Sequence, residues 1–342
     1  MYRMLLGKAP LRLSMGGGGT DIESFYSQEG GYWTSAAISL YVRISVNRRW
    51  SKSWIVKYSD QVQMVDDLGL IKHNILRESL LFLKADDWLK GKGMEINIMS
   101  DVPRSSGLGV SGAITVNLLQ ILHAMKGDNL PRKELAEEAY YVEHDLCGSV
   151  ATGKQDQYIA AFGGITSFEV TRKGYVEVYP LELDSRTQME INENLVLFGT
   201  GIGRPKSADE TLREQGLASK KEGLSKVDYL KKIKEIGLSQ QEALLSGNVR
   251  RFGELLDEHW ETKKQYSDHT ANPAIDNVYE DARKAGALGG KVVGAGTIGA
   301  YWLFYVEGDK KSALRDELAK KHGLEEVPWN FVEHGSMIAY CE

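Results

Sequence analysis

Residues 103–125 read PRSSGLGVSGAITVNLLQILHAM: serines first, then glycines, then a helix pattern. After Gly112, apolar residues fall at Ile114, Leu118, Ile121, Leu122 and Met125, the spacing of one helix face. The pattern predicts a helix from Ser111 to Met125 that starts directly after Gly107, Leu108 and Gly109. Such a start presents amide groups without intrahelical partners and the positive end of the helix dipole. Glycines ahead of it let an anion reach the backbone, and Ser105, Ser106 and Ser111 add hydroxyls for phosphate or metal. A capped helix after a tight turn needs one serine and one glycine. Three of each point to a polyphosphate site.

Around this stretch, residues 1–185 alternate strand and helix patterns. YWTSAAISLYVRISV, SWIVKYS and MEINIMS read as strands, and HNILRESLLFLKADDWL (73–89) as one amphipathic helix. A second helix follows from Pro131 to about Leu146, and another starts after Gly153 and ends at Gly163. ITSFEV and YVEVYPLEL form a hairpin. The polar run DSRTQMEINEN (184–194) reads as the boundary between a domain of residues 1–185 and one of 186–342. Beyond it lie a strand entering a glycine loop, ENLVLFGTGIG, and a largely helical stretch up to Gly286. A glycine hairpin, a helix from Lys310 to Lys321 and a closing strand complete the chain.

Two glycine-rich segments imitate other nucleotide motifs. GAGTIG (294–299) fits G-x-G-x-x-G, but IDNVYEDARKAGALGG before it has helical spacing and AYWLFYVEG after it reads as a strand. The dinucleotide fingerprint requires the reverse order. Gly294, Gly296 and Gly299 are therefore read as a turn between two strands. Residues 148–154, GSVATGK, match a P-loop until Gln155 stands where Ser or Thr must hold magnesium, and the segment follows a helix. Neither a nicotinamide site nor a P-loop is expected.

Composition narrows the class further. At 342 residues, 42% hydrophobic and 26% charged, the chain can bury a substantial core in two domains. A net charge of −5 argues against a nucleic-acid partner. Cys147 and Cys341 are the only cysteines, so neither a disulfide framework nor a cysteine metal cage is available. The opening MYRMLLGKAP is too short an apolar run for a signal peptide, and nowhere is there a membrane-length apolar stretch. A cytoplasmic protein is the expectation; oligomeric state is left open.

PRSSGLGVSGA resembles the second motif, P-x-x-x-G-L-x-S-S-A, of the GHMP kinases, which phosphorylate galactose, homoserine, mevalonate and related metabolites. APLRLSMGGGGTD resembles their first motif and GGKVVGAGTIGA their third, in the family's order and across nearly the whole chain. The resemblance implies an α+β, two-domain fold: a ribosomal-protein-S5-like N-terminal domain and a ferredoxin-like C-terminal one. It also implies ATP with Mg2+. Within the family, APLR…GGGTD together with GKQDQYIAAFGG looks most like the sugar-1-kinases for D-glycero-D-manno-heptose 7-phosphate, with L-fucokinase next. The implied reaction phosphorylates the C1 hydroxyl to the 1,7-bisphosphate, for nucleotide-heptose and cell-surface polysaccharide synthesis. A fucokinase- or galactokinase-like activity, or a catalytically silent sugar-binding regulator on the same fold, stands as the alternative.

Carried over position by position, the resemblance assigns nucleotide binding to Pro103, Ser105, Ser106, Gly107, Leu108, Gly109, Val110, Ser111 and Gly112. Ser111 and Glu143 match the magnesium ligands, although without the family Glu143 reads as a solvated carboxylate beside Glu137 and Glu138. Asp156 matches the catalytic aspartate and Arg12 the arginine that holds it. Asp in the first turn of a helix is also ordinary dipole complementation. Gly18, Gly19, Thr20, Asp21 and Gly296 fall on the substrate side. Galactokinases have G-E-H-T-D where this chain has Gly17-Gly18-Gly19-Thr20-Asp21, which removes a charge and opens space for a phosphorylated sugar. For the substrate phosphate, Arg204 and Lys206 are the first candidates, with Arg104 and Lys154 behind them. Thr297 and Ile298 interrupt the usual glycine run of the third motif.

Overall fold

Two long strands organise the first half of the computed structural model, which describes residues 3–103, 106–199, 225–266, 273–294 and 301–342. Strand β1 (Met4–Gly16) runs antiparallel to β2 (Gly31–Arg48), with the short helix α1 (Glu23–Glu29) between them. Their register slips between Pro10, opposite Tyr41, and Leu11, opposite Ile38. Proline has no N–H to give the ladder, and an irregularity at that point bends the strand. There β2 also changes its second neighbour. Residues 31–36 pair with β6 (Ile165–Val170), whereas residues 42–48 pair with β5 (Met94–Ser100). Strand β3 (Trp54–Tyr58) lies parallel to β5 and carries the edge strand β4 (Gln61–Val65); β7 (Val176–Pro180) extends β6.

Helix α4 (Val110–Lys126) crosses this sheet and is enclosed by it and by α5 (Arg132–Tyr141) and α6 (Gln155–Phe162). The sequence shows one apolar stripe on α4, but Thr115, Asn117 and His123 are buried as well, because the helix is surrounded. The single helix expected over 73–89 is two, α2 (Asn74–Phe82) and α3 (Ala85–Leu89), separated where Lys84 turns left-handed at φ 50°. The expected helix to Leu146 leaves α-helical geometry after Tyr141 and finishes as a π turn, Val142–Leu146.

Residues 184–194, read as the domain boundary, form α7 (Ser185–Asn194): Asp184 accepts from the Thr187 amide at 2.9 Å, and Thr187 and Ile191 are buried. The second sheet has the order β11 (Glu325–Val327), β8 (Leu195–Gly199), β10 (Trp302–Val306), β9 (Ala287–Val292), all antiparallel. In chain order this is 4-1-3-2, the split βαβ arrangement of ferredoxin-like folds. Residues 287–290, expected to continue a helix, begin β9, because Gly289 lies against the backbone of Gly253 and Asp257, and Gly290 against the Phe304 ring.

Helices α9 (Val249–Tyr266), α10 (Pro273–Lys284) and α11 (Lys311–His322) pack on this sheet, whereas α8 (Lys226–Leu245) packs against α9 and against β1 and β2 of the first sheet. Alternation along its strands divides the side chains. Leu197, Leu303 and Tyr305 join the main core, while Phe198, Trp302 and Phe304 form a second one with Trp260, Tyr279, Leu314 and Leu318. The last strand, β12 (Met337–Cys341), returns to the first sheet and pairs antiparallel with the outer edge of β1. Among the described residues no helix is long and apolar enough to cross a membrane.

Candidate active site

The mouth of α4 is held from below by β1. The Arg12 amide donates to the Leu108 carbonyl at 3.0 Å, and the Arg12 guanidinium donates through Nη1 to the carbonyl of Gly107. Among the described residues no side chain caps α4, so its first amides stay available to an anion. Ser111 is exposed at this mouth, while Ser106 is fully buried and its hydroxyl accepts from the Leu108 amide at 3.3 Å. Ser106 therefore shapes the loop and is not free to bind phosphate through its side chain. Ser105 and Arg104 lie outside the described residues.

Asp156, in the first turn of α6, faces the same mouth. Its Oδ1 accepts from Arg12 Nε at 2.7 Å and meets a terminal guanidinium nitrogen at 2.7 Å. Arg12 is only 6% exposed, whereas a quarter of the Asp156 side chain is accessible. Two glycines make the approach possible. A Cβ at Gly112 would stand 2.6 Å from the Asp156 Cβ, and one at Gly109 would stand 3.1 Å from Arg12 and 3.2 Å from the Asp156 carboxyl carbon. The glycine loop and the carboxylate are in van der Waals contact.

Glu143 points inward, not to solvent: it follows the buried Ala136, Ala139 and Tyr140 at helical spacing, and only 4% of the residue is exposed. Its Oε1 accepts from Thr115 Oγ1 and Gln157 Nε2, both at 2.9 Å, and the Ser111 hydroxyl also bonds it. Burial pushes this carboxyl up to about 7, against those three hydrogen bonds that favour the ionised form. Gln157 Oε1 beside it is buried and has no partner. One carboxylate and one hydroxyl are hard oxygen donors. They fit a magnesium ion whose other ligands are phosphates and water. Among the described residues no three His, Cys, Asp or Glu form a metal cage, which such an ion does not need.

The glycine turn at 16–19 completes the floor. Asp21 accepts from the amides of Gly19 and Gln155, both at 2.9 Å, and so ties the turn to the start of α6; burial pushes its carboxyl above the ordinary value. Thr20 is fully buried, its hydroxyl held by the backbone of Gly17 and Tyr32. It supports the turn and offers nothing to a ligand through its side chain. Gly18 borders Ser14 and Gln155, which bond each other at 3.0 Å. Lys154 is corrected as a phosphate candidate: it is buried, its ammonium grips both Glu137 oxygens at 2.6 and 2.7 Å, and it lies 4.5 Å from the Tyr140 ring centre. Arg204, Lys206, Gly296, Thr297 and Ile298 lie outside the described residues.

Sequence reasoning missed Thr115, Gln155 and Gln157, which contact the predicted carboxylates or their supports. Gln155 and Gln157 flank Asp156 in GKQDQ, a signal read only for its aspartate. It also passed over Lys291, inside the third glycine motif.

Comparison with known proteins follows the same lines. Residues 74–164 match the profile of the GHMP kinases N terminal domain and residues 240–321 that of the GHMP kinases C terminal. The D-glycero-alpha-D-manno-heptose 7-phosphate kinase of Campylobacter jejuni subsp. jejuni serotype O:2 is 30% identical, over 92% of this chain and 93% of its own. The L-fucokinase/L-fucose-1-P guanylyltransferase of Bacteroides fragilis is 25% identical over 92% of this chain, which covers 35% of that longer protein. A crystal structure of a D-glycero-D-manno-heptose 1-phosphate kinase from Bacteriodes thetaiotaomicron superposes with a TM-score of 0.80 at 27% identity, over 98% of this chain and 99% of that one.

Proposed function

Because the chain belongs to the GHMP kinase family and is a sugar kinase, a phosphotransferase, we propose that it transfers the γ-phosphoryl group of ATP to the C1 hydroxyl of D-glycero-D-manno-heptose 7-phosphate. The observation that carries the chemistry is the Arg12–Asp156 pair packed against Gly109 and Gly112. The amides at the mouth of α4, with the loop from Pro103 to Gly112, seat the triphosphate. Asp156 orients the acceptor hydroxyl and takes its proton as the new P–O bond forms and the bond to ADP breaks. Arg12 fixes the carboxylate at 2.7 Å and offsets charge developing between donor and acceptor. An anomeric hydroxyl is more acidic than an ordinary alcohol, which lowers the demand on the base.

Ser111 and Glu143 would hold Mg2+, which when bound neutralises charge on the phosphate oxygens. On the sugar side, Gly18, Gly19 and Asp21 border the acceptor, Thr20 holds their turn, and Gly296 and Arg204 contribute from the second half, Arg204 gripping the 7-phosphate. The absence of an acidic side chain at Gly18 suits an anionic substrate. The 1,7-bisphosphate product suits a route to nucleotide-activated heptose for cell-surface polysaccharide, in the cytoplasm where ATP is made available.

The test incubates the protein with ATP and magnesium against heptose 7-phosphate, fucose and galactose, reading the position of the new phosphate by NMR. A C1 phosphate on the heptose, at a kcat/KM at least tenfold above the neutral sugars, is expected. Preference for fucose or galactose selects the alternative kinase; no ATP turnover with any sugar selects a silent regulator.

A further inference from the structure

Behind the phosphate loop lies a buried cation that the proposed chemistry does not use. Lys291 sits on β9, and Leu303, its partner across the ladder, belongs to the main core. Gly289, two residues back on the same strand face, lies against Gly253 and Asp257 of α9. The side chain of Lys291 therefore projects into the seam between the second sheet and the first half of the molecule. It is 4% exposed, and no described carboxylate or hydrogen-bond acceptor meets its ammonium.

Among the described residues, the charges acting on it, Lys263 and Arg12, have the same sign. Burial first, then Lys263 and Arg12, push the Lys291 pKa down to about 7. Arg12 touches the loop directly, donating to the Gly107 carbonyl, and Lys263 reaches it through Gly294, whose carbonyl accepts from Nζ at 2.9 Å. Gly294 in turn abuts Gly107, where an added Cβ would stand 2.8 Å from its Cα. On α9, His259 is buried with Nδ1 unpartnered, and its pKa is pushed well down by burial, Lys291 and Lys263. A buried ammonium among like charges is unfavourable unless something anionic arrives. The loop these cations adjoin is the seat built for such an anion, with its uncapped helix amides.

We propose that Lys291 is a phosphate ligand of the cleft, its ammonium supplying with Lys263 the counter-charge for the polyphosphate seated on the Gly107–Gly112 loop. This rests on the kinase reading above. Lysine serves here as a point charge, a role that needs no planar fork.

The experiment measures binding of Mg-ATP and of adenosine by titration calorimetry to wild type, Lys291→Met and Lys291→Arg, with melting temperatures of the ligand-free proteins. The expected result is a loss of tenfold or more in ATP affinity for Lys291→Met and unchanged adenosine binding. Lys291→Arg should recover most of the ATP affinity, and the ligand-free Lys291→Met protein should melt no lower than wild type. ATP affinity in Lys291→Met within twofold of wild type overturns the proposal while leaving the kinase reading intact. Equal losses for ATP and adenosine also overturn it, since they mark a packing role. Should Lys291→Met not fold, Lys291→Gln takes its place with the same two ligands. A wild type that binds no Mg-ATP overturns the kinase reading itself, and this inference with it.

Discussion

A single carboxylate, Asp156, is the residue on which the proposed reaction turns, and its geometry sets the first expectations. Asp156→Asn keeps the size and the packing against Gly112 but cannot accept the proton. Its kcat should fall about 10²–10⁴-fold in protein that is still folded at the assay temperature; turnover within tenfold of wild type removes Asp156 from the base role. Gly112→Ala places a methyl 2.6 Å from the Asp156 Cβ. Relief requires α4 and α6 to part, at a stability cost of about 1–3 kcal/mol, and kcat should drop with it. Arg204→Ala should raise the KM for heptose 7-phosphate at least tenfold while leaving the KM for ATP alone; an unchanged sugar KM ends its assignment. The pairing of Asp156 with Arg12 was legible from their motifs. The role of Thr20 was not, because a motif marks position and does not say whether a hydroxyl faces backbone or ligand.

At the scale of the element, strand β9 carries a pH signature. The ordinary lysine value is 10.5 and that of Lys291 in the folded, ligand-free protein is about 7, with Lys263 and Arg12 the charges facing it. Between these values the unfolded chain holds a proton that the folded protein has released, so stability rises with pH across that window. Below about pH 7 both states hold the proton and the contribution is flat at its least favourable. Chemical denaturation from pH 7 to 9 should show stability increasing, with a slope of at most about 1.4 kcal/mol per pH unit from this group. Lys291→Met should flatten that slope and melt higher at pH 7; an identical slope in the variant means another group is responsible. The strand was partly misread from sequence because Ala287–Gly290 extends a helical apolar spacing, and only the neighbours of Gly289 and Gly290 reveal that backbone must pass there. The π turn at Val142–Leu146 was likewise invisible: no residue in VEHDL announces a widened turn.

The whole molecule closes on itself through β12. Removing residues 337–342 strips the outer edge of β1, the strand that carries Arg12, and exposes unpaired backbone to association. A lower melting point is expected, about 2–4 °C for each kcal/mol lost, together with concentration-dependent aggregation. An unchanged melting point makes β12 an accessory. The two-domain plan was readable through the resemblance of three glycine motifs, in order along the chain, to those of the family. That β12 belongs to the first sheet was not, since pairing between residues more than 300 positions apart leaves no local mark.

Gly107 and Gly294 touch with no side chain between them. Bare backbone against bare backbone has no cushion of rotamers to absorb a displacement, so the two halves mesh there like teeth of a gear. Any displacement of the ferredoxin-like half would therefore be delivered straight to the loop proposed to cradle the nucleotide.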